Sequence, residues 1–272
     1  MADGSARRGF SYREARLWVQ GRGARLLDLL YPPRCPVTDE PVDAHGAFAP
    51  SAWSRARLLA PPWCEACGLP FALADPATPL CAPCAAPSRY EHALTGPRRM
   101  DSLRSAFAYD EVAARLVLSL KYGDRHDTLP ALGRLLARAG VEAAERADVV
   151  VPVPLHPRRL RARRFNQAAL LADTLALRTG LSHDPLALAR VKPSPKQKGL
   201  SASQRRRNVQ AAFAPRREGE LAGLRVLLVD DVLTTGATLT ACARAARKAG
   251  AVEVHGLTLA RVVRDGATLT EA

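Results

Sequence analysis

The sequence predicts an α/β protein in which a parallel sheet flanked by helices follows a small cysteine-containing module. From residue 101 to residue 263, short runs of Val and Leu alternate with apolar residues at helical spacing, a pattern typical of βα units. Residues 31–100 are instead rich in Pro, Cys and Trp and lack the periodicity that builds a sheet. We therefore divide the chain into a basic amphipathic segment (1–24), a cysteine module (25–90) and an α/β domain (91–265).

The elements of the α/β region follow from hydrophobic periodicity and from turn residues. A first strand is expected at 105–109, after which Val112, Leu116 and Leu120 fall on one face of a helix. Residues 192–207 are polar and basic without an apolar period, so we expect a long flexible loop there. The other predicted elements are helices at 129–138, 167–178 and 237–248 and strands at 148–153, 226–229 and 252–259.

The composition excludes a disordered chain and favours an anionic ligand. Hydrophobic residues make up 47% of the 272 residues, which is enough for a sizeable core. Lys and Arg outnumber Asp and Glu by 40 to 26, a formal net charge of +14. This excess favours nucleic acid or a phosphorylated small molecule over a cationic ligand.

The N-terminal residues favour a cytoplasmic protein with no integral membrane contact. They carry several arginines but no continuous apolar stretch of the kind found in a signal peptide, and no run approaches the roughly 18 apolar residues that span a bilayer. An amphipathic helix is expected before Pro32, packed on the protein itself or lying on a membrane surface. Its apolar residues are Leu17, Trp18, Leu26, Leu27, Leu29 and Leu30.

The cysteine module contains two C-x2-C pairs separated by 13 residues. Each pair can direct two thiolates at one ion, and Gly68 supplies the positive φ that such a turn favours. Disulfides are the alternative, but a reducing cytosol disfavours them. We therefore expect a closed, structural zinc site, whose four ligands would be Cys64, Cys67, Cys81 and Cys84. Cys35 and Cys242 stand alone, and Cys242 is expected to be a small core residue.

The most informative segment is 226–238, which reads Val-Leu-Leu-Val-Asp-Asp-Val-Leu-Thr-Thr-Gly-Ala-Thr. A buried strand would deliver Asp230 and Asp231 at its carboxyl end, where open α/β sheets bind ligands. The turn behind them would direct N–H groups and hydroxyls at one point, beside the positively polarised N-terminus of the next helix. An ordinary capped helix is the alternative, although a cap needs only one such residue. We predict a phosphate cradle formed by Thr234, Thr235, Gly236, Ala237 and Thr238.

Two basic segments suit the same kind of ligand. Arg158 and Arg159 follow the predicted strand at 148–153 and can contact a diphosphate in the bidentate manner of guanidinium groups. The predicted loop carries Gln197, Lys198 and Arg205, which can close over a ligand as a flexible lid and exclude water. The alternatives are a solvated basic face and an ordinary disordered loop.

These motifs carry a family resemblance. Segment 226–238 resembles the phosphoribosyl diphosphate (PRPP) fingerprint of type I phosphoribosyltransferases, without a break over its 13 residues. The chain as a whole resembles the ComF family of competence-associated phosphoribosyltransferases, whose N-terminal module is similar to a double zinc ribbon. The resemblance covers nearly the whole chain and rests on residues 26–35, 62–71, 120–124, 151–167, 197–200, 205–208 and 226–238.

The resemblance implies a type I phosphoribosyltransferase-like fold and transfer of a phosphoribosyl group from PRPP, bound with Mg²⁺, to an unidentified nitrogen acceptor. Asp230 and Asp231 would be the catalytic residues at the ribose hydroxyls, and residues 234–238 would hold the 5-phosphate. Lys121, Arg158 and Arg159 would bind the diphosphate. The family is linked to DNA uptake, often beside a competence helicase. The alternative is a non-catalytic accessory that binds single-stranded DNA or a helicase partner and uses the PRPP site as a ligand sensor.

One ligand set departs from the family pattern. The earlier ribbon of the family lies around Cys35, but here that pair reads Cys35-Pro-Val-Thr38, and Ala49 and Ala52 stand where its partners are expected. Because three of the four thiolates are missing, we predict one zinc per chain. The first ribbon would then persist as a packing element, with Trp53 and Trp63 filling space.

Overall fold

The structure, a computed structural model, describes residues 32–73, 77–89, 94–96, 99–122, 126–192 and 212–263. The predicted N-terminal helix lies outside the described residues, as do the predicted lid residues Gln197, Lys198 and Arg205. None of the helices in the described part of the chain has the length and apolarity needed to cross a bilayer.

A five-stranded parallel sheet forms the centre of the molecule. Its strand order is β1-β7-β6-β2-β3, and every neighbouring pair runs parallel. Two further short strands, β4 and β5, pair antiparallel on either side of residues 193–211. The bounds are β1 Ser102–Ala108, β2 Val149–Pro152, β3 Ser182–His183, β4 Leu188–Arg190, β5 Phe213–Pro215, β6 Arg225–Leu233 and β7 Glu253–Arg261.

Helices cover both faces of this sheet. In chain order they are α1 Pro50–Arg55, α2 Ala82–Ala85, α3 Glu111–Tyr122, α4 Leu129–Ala139, α5 Val141–Arg146, α6 Pro157–Arg163, α7 Gln167–Thr179 and α8 Ala237–Lys248. Asn166 caps α7, because its side chain accepts a hydrogen bond from the Ala168 N–H, and Gly180 ends it with φ +75°.

The central strands have continuous apolar sequences because side chains on both of their faces are buried. In β6, Leu227 and Val229 face the core layer shared with α3, α4 and α7, whereas Val226 and Leu228 face the layer shared with α8. Both faces are therefore buried, as expected for a parallel sheet with helices on each side. This arrangement confirms the predicted α/β architecture.

The cysteine module packs against the edge of the sheet. Backbone hydrogen bonds join Leu59 N–H to Ala106 O and Ala108 N–H to Arg57 O, so that residues 57–59 cover the free edge of β1. Covering an edge strand in this way prevents pairing with other chains.

The main differences from the predicted elements lie at strand ends. Strand β6 does not stop at residue 229 but continues through both acids to Leu233, because β7 pairs with it up to Arg261. Strand β1 begins three residues earlier than predicted, paired with β7 from Ser102 onward. Seven of the short elements named above were not predicted, namely α1, α2, α5, α6, β3, β4 and β5.

Candidate functional site

An open cleft of about 260 Å³ lies at the carboxyl ends of β2 and β6. This is the edge at which parallel sheets bind ligands. Its walls are mostly polar, and they come from four stretches of the chain, at residue 121, residues 153–168, residue 190 and residues 230–238. The lining residues are Lys121, Val153, Pro154, Leu155, Arg159, Arg163, Asn166, Gln167, Ala168, Arg190, Asp230, Asp231, Val232, Thr234 and Thr238.

The two predicted acids lie together in this cleft but differ electrostatically. Lys121 Nζ lies 2.7 Å from Asp231 Oδ2, and both side chains are mostly buried. Asp230 Oδ1 accepts a hydrogen bond from the Asp231 N–H at 2.9 Å. Burial and the neighbouring charge of Asp231 raise the pKa of Asp230 to about 8. One acid of the pair is therefore held as an ion pair, while the other takes up a proton near neutral pH.

The predicted phosphate cradle forms the turn between β6 and α8. Gly236 adopts φ +72° and ψ 0° at the helix N-cap, a conformation that favours glycine. The Ala237 N–H lies 3.5 Å from Thr235 Oγ1. Among the described residues, no acceptor is found for the N–H groups of Thr234, Thr235, Gly236 or Thr238. A turn with several free amides at a helix N-terminus suits an anion.

Three arginines form another part of the wall of the cleft, which we call the arginine wall. Arg159, Arg163 and Arg190 line the cleft, whereas Arg158 is exposed on α6 and is absent from the part of the wall that the structure describes. Burial and the neighbouring Arg159 lower the pKa of Arg190, whose guanidinium stacks 5.1 Å from the ring centre of Phe213. Arg163 lies in the basic segment 151–167 of the sequence but was not predicted as a site residue, and Arg190 was missed. Arg190 enters the cleft through the β4–β5 pairing, which has no local sequence signal.

A buried amide also faces the cleft. The side chain of Gln167 accepts a hydrogen bond from Arg163 Nη1 at 3.3 Å through Oε1. Because a guanidinium only donates, this contact fixes the orientation of the amide. Gln167 is 2% exposed, and its Nε2 has no hydrogen-bond partner in the described structure. An unsatisfied buried donor in a cleft wall is available to an anionic or hydroxyl-bearing ligand.

The four predicted metal ligands come together in the cysteine module. The Sγ atoms of Cys64, Cys67, Cys81 and Cys84 all lie within 4.8 Å of one another. Cys67 Sγ and Cys81 Sγ are 3.7 Å apart, close to the edge of about 3.8 Å that Zn–S bonds of about 2.3 Å give a tetrahedron. Hydrogen bonding with Cys67 lowers the pKa of Cys64. None of the six cysteines forms a disulfide, and Cys242 is a fully buried core residue, as predicted.

Comparison with known proteins gives the same two parts. One family model, described as a double zinc ribbon domain, matches residues 26–85, and another, described as a phosphoribosyl transferase domain, matches residues 166–269. The DNA utilization protein YhgH of Salmonella typhimurium is 35% identical over 205 residues, which cover 74% of this chain and 84% of that protein. Competence protein F of Haemophilus influenzae is 36% identical over 160 residues, or 56% of this chain and 69% of that protein. The chain belongs to the ComF family.

Two solved structures that match this ComF-family chain are less similar to it in sequence than these two relatives are. A glutamine PRPP amidotransferase from B. subtilis is 25% identical with a TM-score of 0.37, and the match covers 52% of this chain and 30% of that chain. Orotate phosphoribosyltransferase from Aeropyrum pernix is 23% identical with a TM-score of 0.33, covering 58% and 68%. The sheet and the family matches confirm the predicted phosphoribosyltransferase-like fold with a zinc-ribbon module.

The first ribbon of this ComF-family chain keeps the backbone of a zinc knuckle. In the second ribbon, the Cys64 N–H donates to Leu69 O at 2.8 Å and the Gly68 N–H donates to Cys64 O at 2.8 Å. The first ribbon repeats both bonds 29 residues earlier, from Cys35 N–H to Glu40 O at 2.8 Å and from Asp39 N–H to Cys35 O at 3.0 Å. Asp39 takes the positive φ of Gly68, at 61° against 66°. The first knuckle therefore keeps its shape with one cysteine.

The second half of the first ribbon also has the same backbone conformation as the corresponding half of the second ribbon. Ala49 precedes α1 with φ −64° and ψ 152°, as Cys81 precedes α2 with φ −68° and ψ 155°. Ala49 and Ala52 thus occupy the positions of Cys81 and Cys84, and both are buried in the main core. The Trp53 ring packs edge-on against Phe48, and the residue is 40% exposed. Trp63 lies beneath the guanidinium of Arg104. Aliphatic packing replaces the thiolates at this position.

Proposed function

We propose that this ComF-family protein binds PRPP with Mg²⁺ and transfers the phosphoribosyl group of PRPP to a nitrogen acceptor. We propose further that this activity contributes to DNA uptake. One observation carries the proposal: the paired acids, two threonines of the turn (Thr234 and Thr238) and the arginines line a single cleft. Gly236 and Ala237 line a smaller adjoining pocket, which shares Asp230, Thr234 and Thr238 with the cleft. These three features match the three charged or polar parts of PRPP, namely its ribose hydroxyls, its 5-phosphate and its diphosphate. The name of the matching domain and the names of the relatives support the same activity and process.

The chemistry follows from how charge is distributed in the cleft. The amides and hydroxyls of residues 234–238 hold the 5-phosphate, and Asp230 and Asp231 accept hydrogen bonds from the ribose hydroxyls. When the bond from C1 to the diphosphate breaks, negative charge grows on the leaving group, and Arg159, Arg163 and Arg190 stabilise it. Lys121 holds Asp231 in place for the sugar. Mg²⁺, when bound with the acids and the diphosphate, would neutralise further charge on the leaving group.

The first experiment replaces both acids. In the double variant Asp230→Asn with Asp231→Asn, Mg²⁺-dependent PRPP binding should fall below detection, because both side chains that contact the ribose hydroxyls are changed and a hydrogen bond to a charged group alone is worth about 1.5–3 kcal/mol. Isothermal titration calorimetry measures the binding, and circular dichroism checks that the fold is kept.

The matched control replaces two acids that do not line the cleft. Glu145→Gln with Glu218→Gln makes the same kind of change, carboxyl to amide, at two exposed positions. This control should bind PRPP as tightly as the unmodified protein. Undiminished binding by the Asp230/Asp231 variant would rule out the proposed sugar site.

A second candidate function is direct contact with DNA. Helix α6 presents Arg158, Arg159 and Arg161 to solvent beside the cleft, and the relatives are named for competence or DNA utilization. Exposed arginines on one short helix suit phosphate groups of a single strand. In this role, the cleft would act as a ligand sensor, and a helicase would be the protein partner.

We place both activities in the cytoplasm. The proposed substrate is a nucleotide precursor, and six cysteines without a disulfide among them suit a reducing compartment.

A further inference from the structure

Three residues after the cysteine module connect the metal site to the phosphate turn. Thr95 is 3% exposed, and its Oγ1 donates a hydrogen bond to Cys84 Sγ at 3.2 Å. The adjacent Leu94 packs against the cysteine cluster on one side and against the core layer of α8 on the other. The segment 94–96 therefore touches both sites at once.

Leu94 lies directly against the glycine of the phosphate turn. A Cβ placed on Gly236 would collide with Leu94 Cδ2, so the leucine methyl group rests on the Gly236 backbone. Gly236 has φ +72° and sets the direction in which the following amides of α8 point. A side chain that covers this residue limits the conformations open to the turn.

A second contact joins the cysteine cluster to the other end of the turn. Arg261 Nη1 donates to Cys67 O at 2.6 Å, and Arg261 pairs with Leu233 in the β6–β7 register. The next residue, Val262, donates its N–H to Leu233 O at 2.8 Å. The turn is thus held before Thr234 by Arg261 and after Thr235 by Leu94, and both of these residues contact the cysteine module.

We propose that the zinc site formed by Cys64, Cys67, Cys81 and Cys84 positions the phosphate turn, and that Leu94 is the positioning residue that links them. Zinc holds the two knuckles together, and the knuckles hold Leu94 on Gly236. The site would then do more than fold the module, because its integrity sets the affinity of the turn for a sugar 5-phosphate. This inference rests on the proposed function of residues 234–238.

The test compares two leucines that both pack on the cysteine cluster. Leu94→Ala removes the contact with Gly236, whereas Leu69→Ala shortens a side chain on the same cluster that is not among the atoms nearest Gly236. The probes are ribose 5-phosphate, which needs the turn, and inorganic diphosphate, which needs the arginine wall. Calorimetry gives both dissociation constants, and plasma emission spectroscopy gives zinc per chain.

We expect Leu94→Ala to retain zinc and to bind ribose 5-phosphate about fivefold to tenfold more weakly, since the turn loses its preorganisation. Its affinity for diphosphate should stay within about twofold, a separation that general loss of structure would not produce. Leu94→Met should restore most of the affinity for ribose 5-phosphate. Equal affinities in Leu94→Ala and Leu69→Ala would overturn the inference.

Two further outcomes separate this inference from the proposed function. If the unmodified protein binds neither probe, the proposed function fails, whereas normal binding with no effect of Leu94→Ala removes only the inference. If Leu94→Ala loses zinc, the comparison passes to Leu94→Val and Leu69→Val, which remove a single methylene and leave a smaller cavity. Equal affinity in that pair overturns the inference in the same way.

Discussion

Asp230 and Asp231 are neighbours in sequence, yet their surroundings differ. Asp231 is paired with Lys121 at 2.7 Å, while burial and Asp231 itself raise the pKa of Asp230 to about 8. Two carboxylates so close together cannot both ionise cheaply in a partly buried cleft. The difference between them is measurable through stability.

Asp230→Asn should change the pH dependence of unfolding. The ordinary pKa of this carboxyl is 3.8, so the folded protein holds a proton that the unfolded chain releases. Stability from that proton is fully present below pH 3.8 and is lost as the pH rises through about 8. The variant needs no proton, and its Tm relative to the unmodified protein should be higher at pH 9 than at pH 4. Each kcal/mol gained corresponds to about 2–4 °C.

Differential scanning calorimetry at the two pH values measures this effect. Asp43→Asn, at an exposed position, is the control. A Tm difference for Asp230→Asn that is the same at both pH values would contradict the raised pKa.

The arginine wall makes a second prediction at this scale. Arg159→Ala and Arg190→Ala should each weaken PRPP binding about 10-fold to 100-fold, the equivalent of one charge-assisted hydrogen bond. Arg158→Ala, on the same helix as Arg159 but outside the described wall, should change the affinity by less than about twofold. Calorimetry on the three single variants distinguishes them. An equal decrease in Arg158→Ala would indicate a general effect of charge and not a diphosphate subsite.

At the scale of elements, the two ribbons show that a knuckle can persist when its metal ligands are replaced. The repeated backbone hydrogen bonds begin at Cys35 and at Cys64, but only the second set belongs to a four-cysteine cluster. In the described part of the chain, no second group of three or more metal-ligating side chains is gathered. The buried Ala49 and Ala52 stabilise the first ribbon by packing against the main core.

This geometry predicts the metal content. The purified protein should carry one zinc per chain by plasma emission spectroscopy, and the triple variant Thr38→Cys, Ala49→Cys, Ala52→Cys should carry two. The added thiols stand where the second ribbon has Cys67, Cys81 and Cys84. Adding Cys35→Ser to the triple variant is the control and should return the content to one. Two zincs in the unmodified protein would refute the prediction.

The elements also show what the sequence could and could not predict. Helix α8 and the apolar part of β6 were predicted because each has a strong local pattern, and the order of acids, threonines and glycine indicated the site. The extension of β6 to Leu233 depends on pairing with β7, a contact between residues distant in sequence. Arg190 and Leu94 reach the site for the same reason, and no local pattern marks them.

At the scale of the whole molecule, the excess of positive charge determines which partners approach. The formal net charge is +14, and part of it lies on α6 next to the cleft. Charge of this kind attracts any polyanion, so affinity for DNA by itself does not distinguish a specific role from nonspecific attraction. The dependence of that affinity on salt concentration does distinguish them.

We expect binding of labelled single-stranded DNA to weaken steeply between about 50 and about 200 mM salt, since bound counterions are released. Fluorescence anisotropy gives the slope of log K against log salt. The double variant Arg158→Ala with Arg161→Ala should reduce that slope by about 0.7 for each phosphate group that is no longer bound, while PRPP binding is kept. Weak association that does not respond to salt would reject direct DNA binding.

The hydrogen bond between Arg261 and the cysteine cluster has a consequence for charge. This guanidinium is 5% exposed, and it has no carboxylate partner within ion-pair distance in the described structure. A zinc ion bound by four thiolates carries a net charge of about −2, and it would lie beside this cation. Chelation would replace that anion with neutral thiols and strand an unbalanced positive charge in the interior. Losing the metal would therefore destabilise the end of β7 as well as the ribbon. A change in the cysteine module would in this way reach the central sheet.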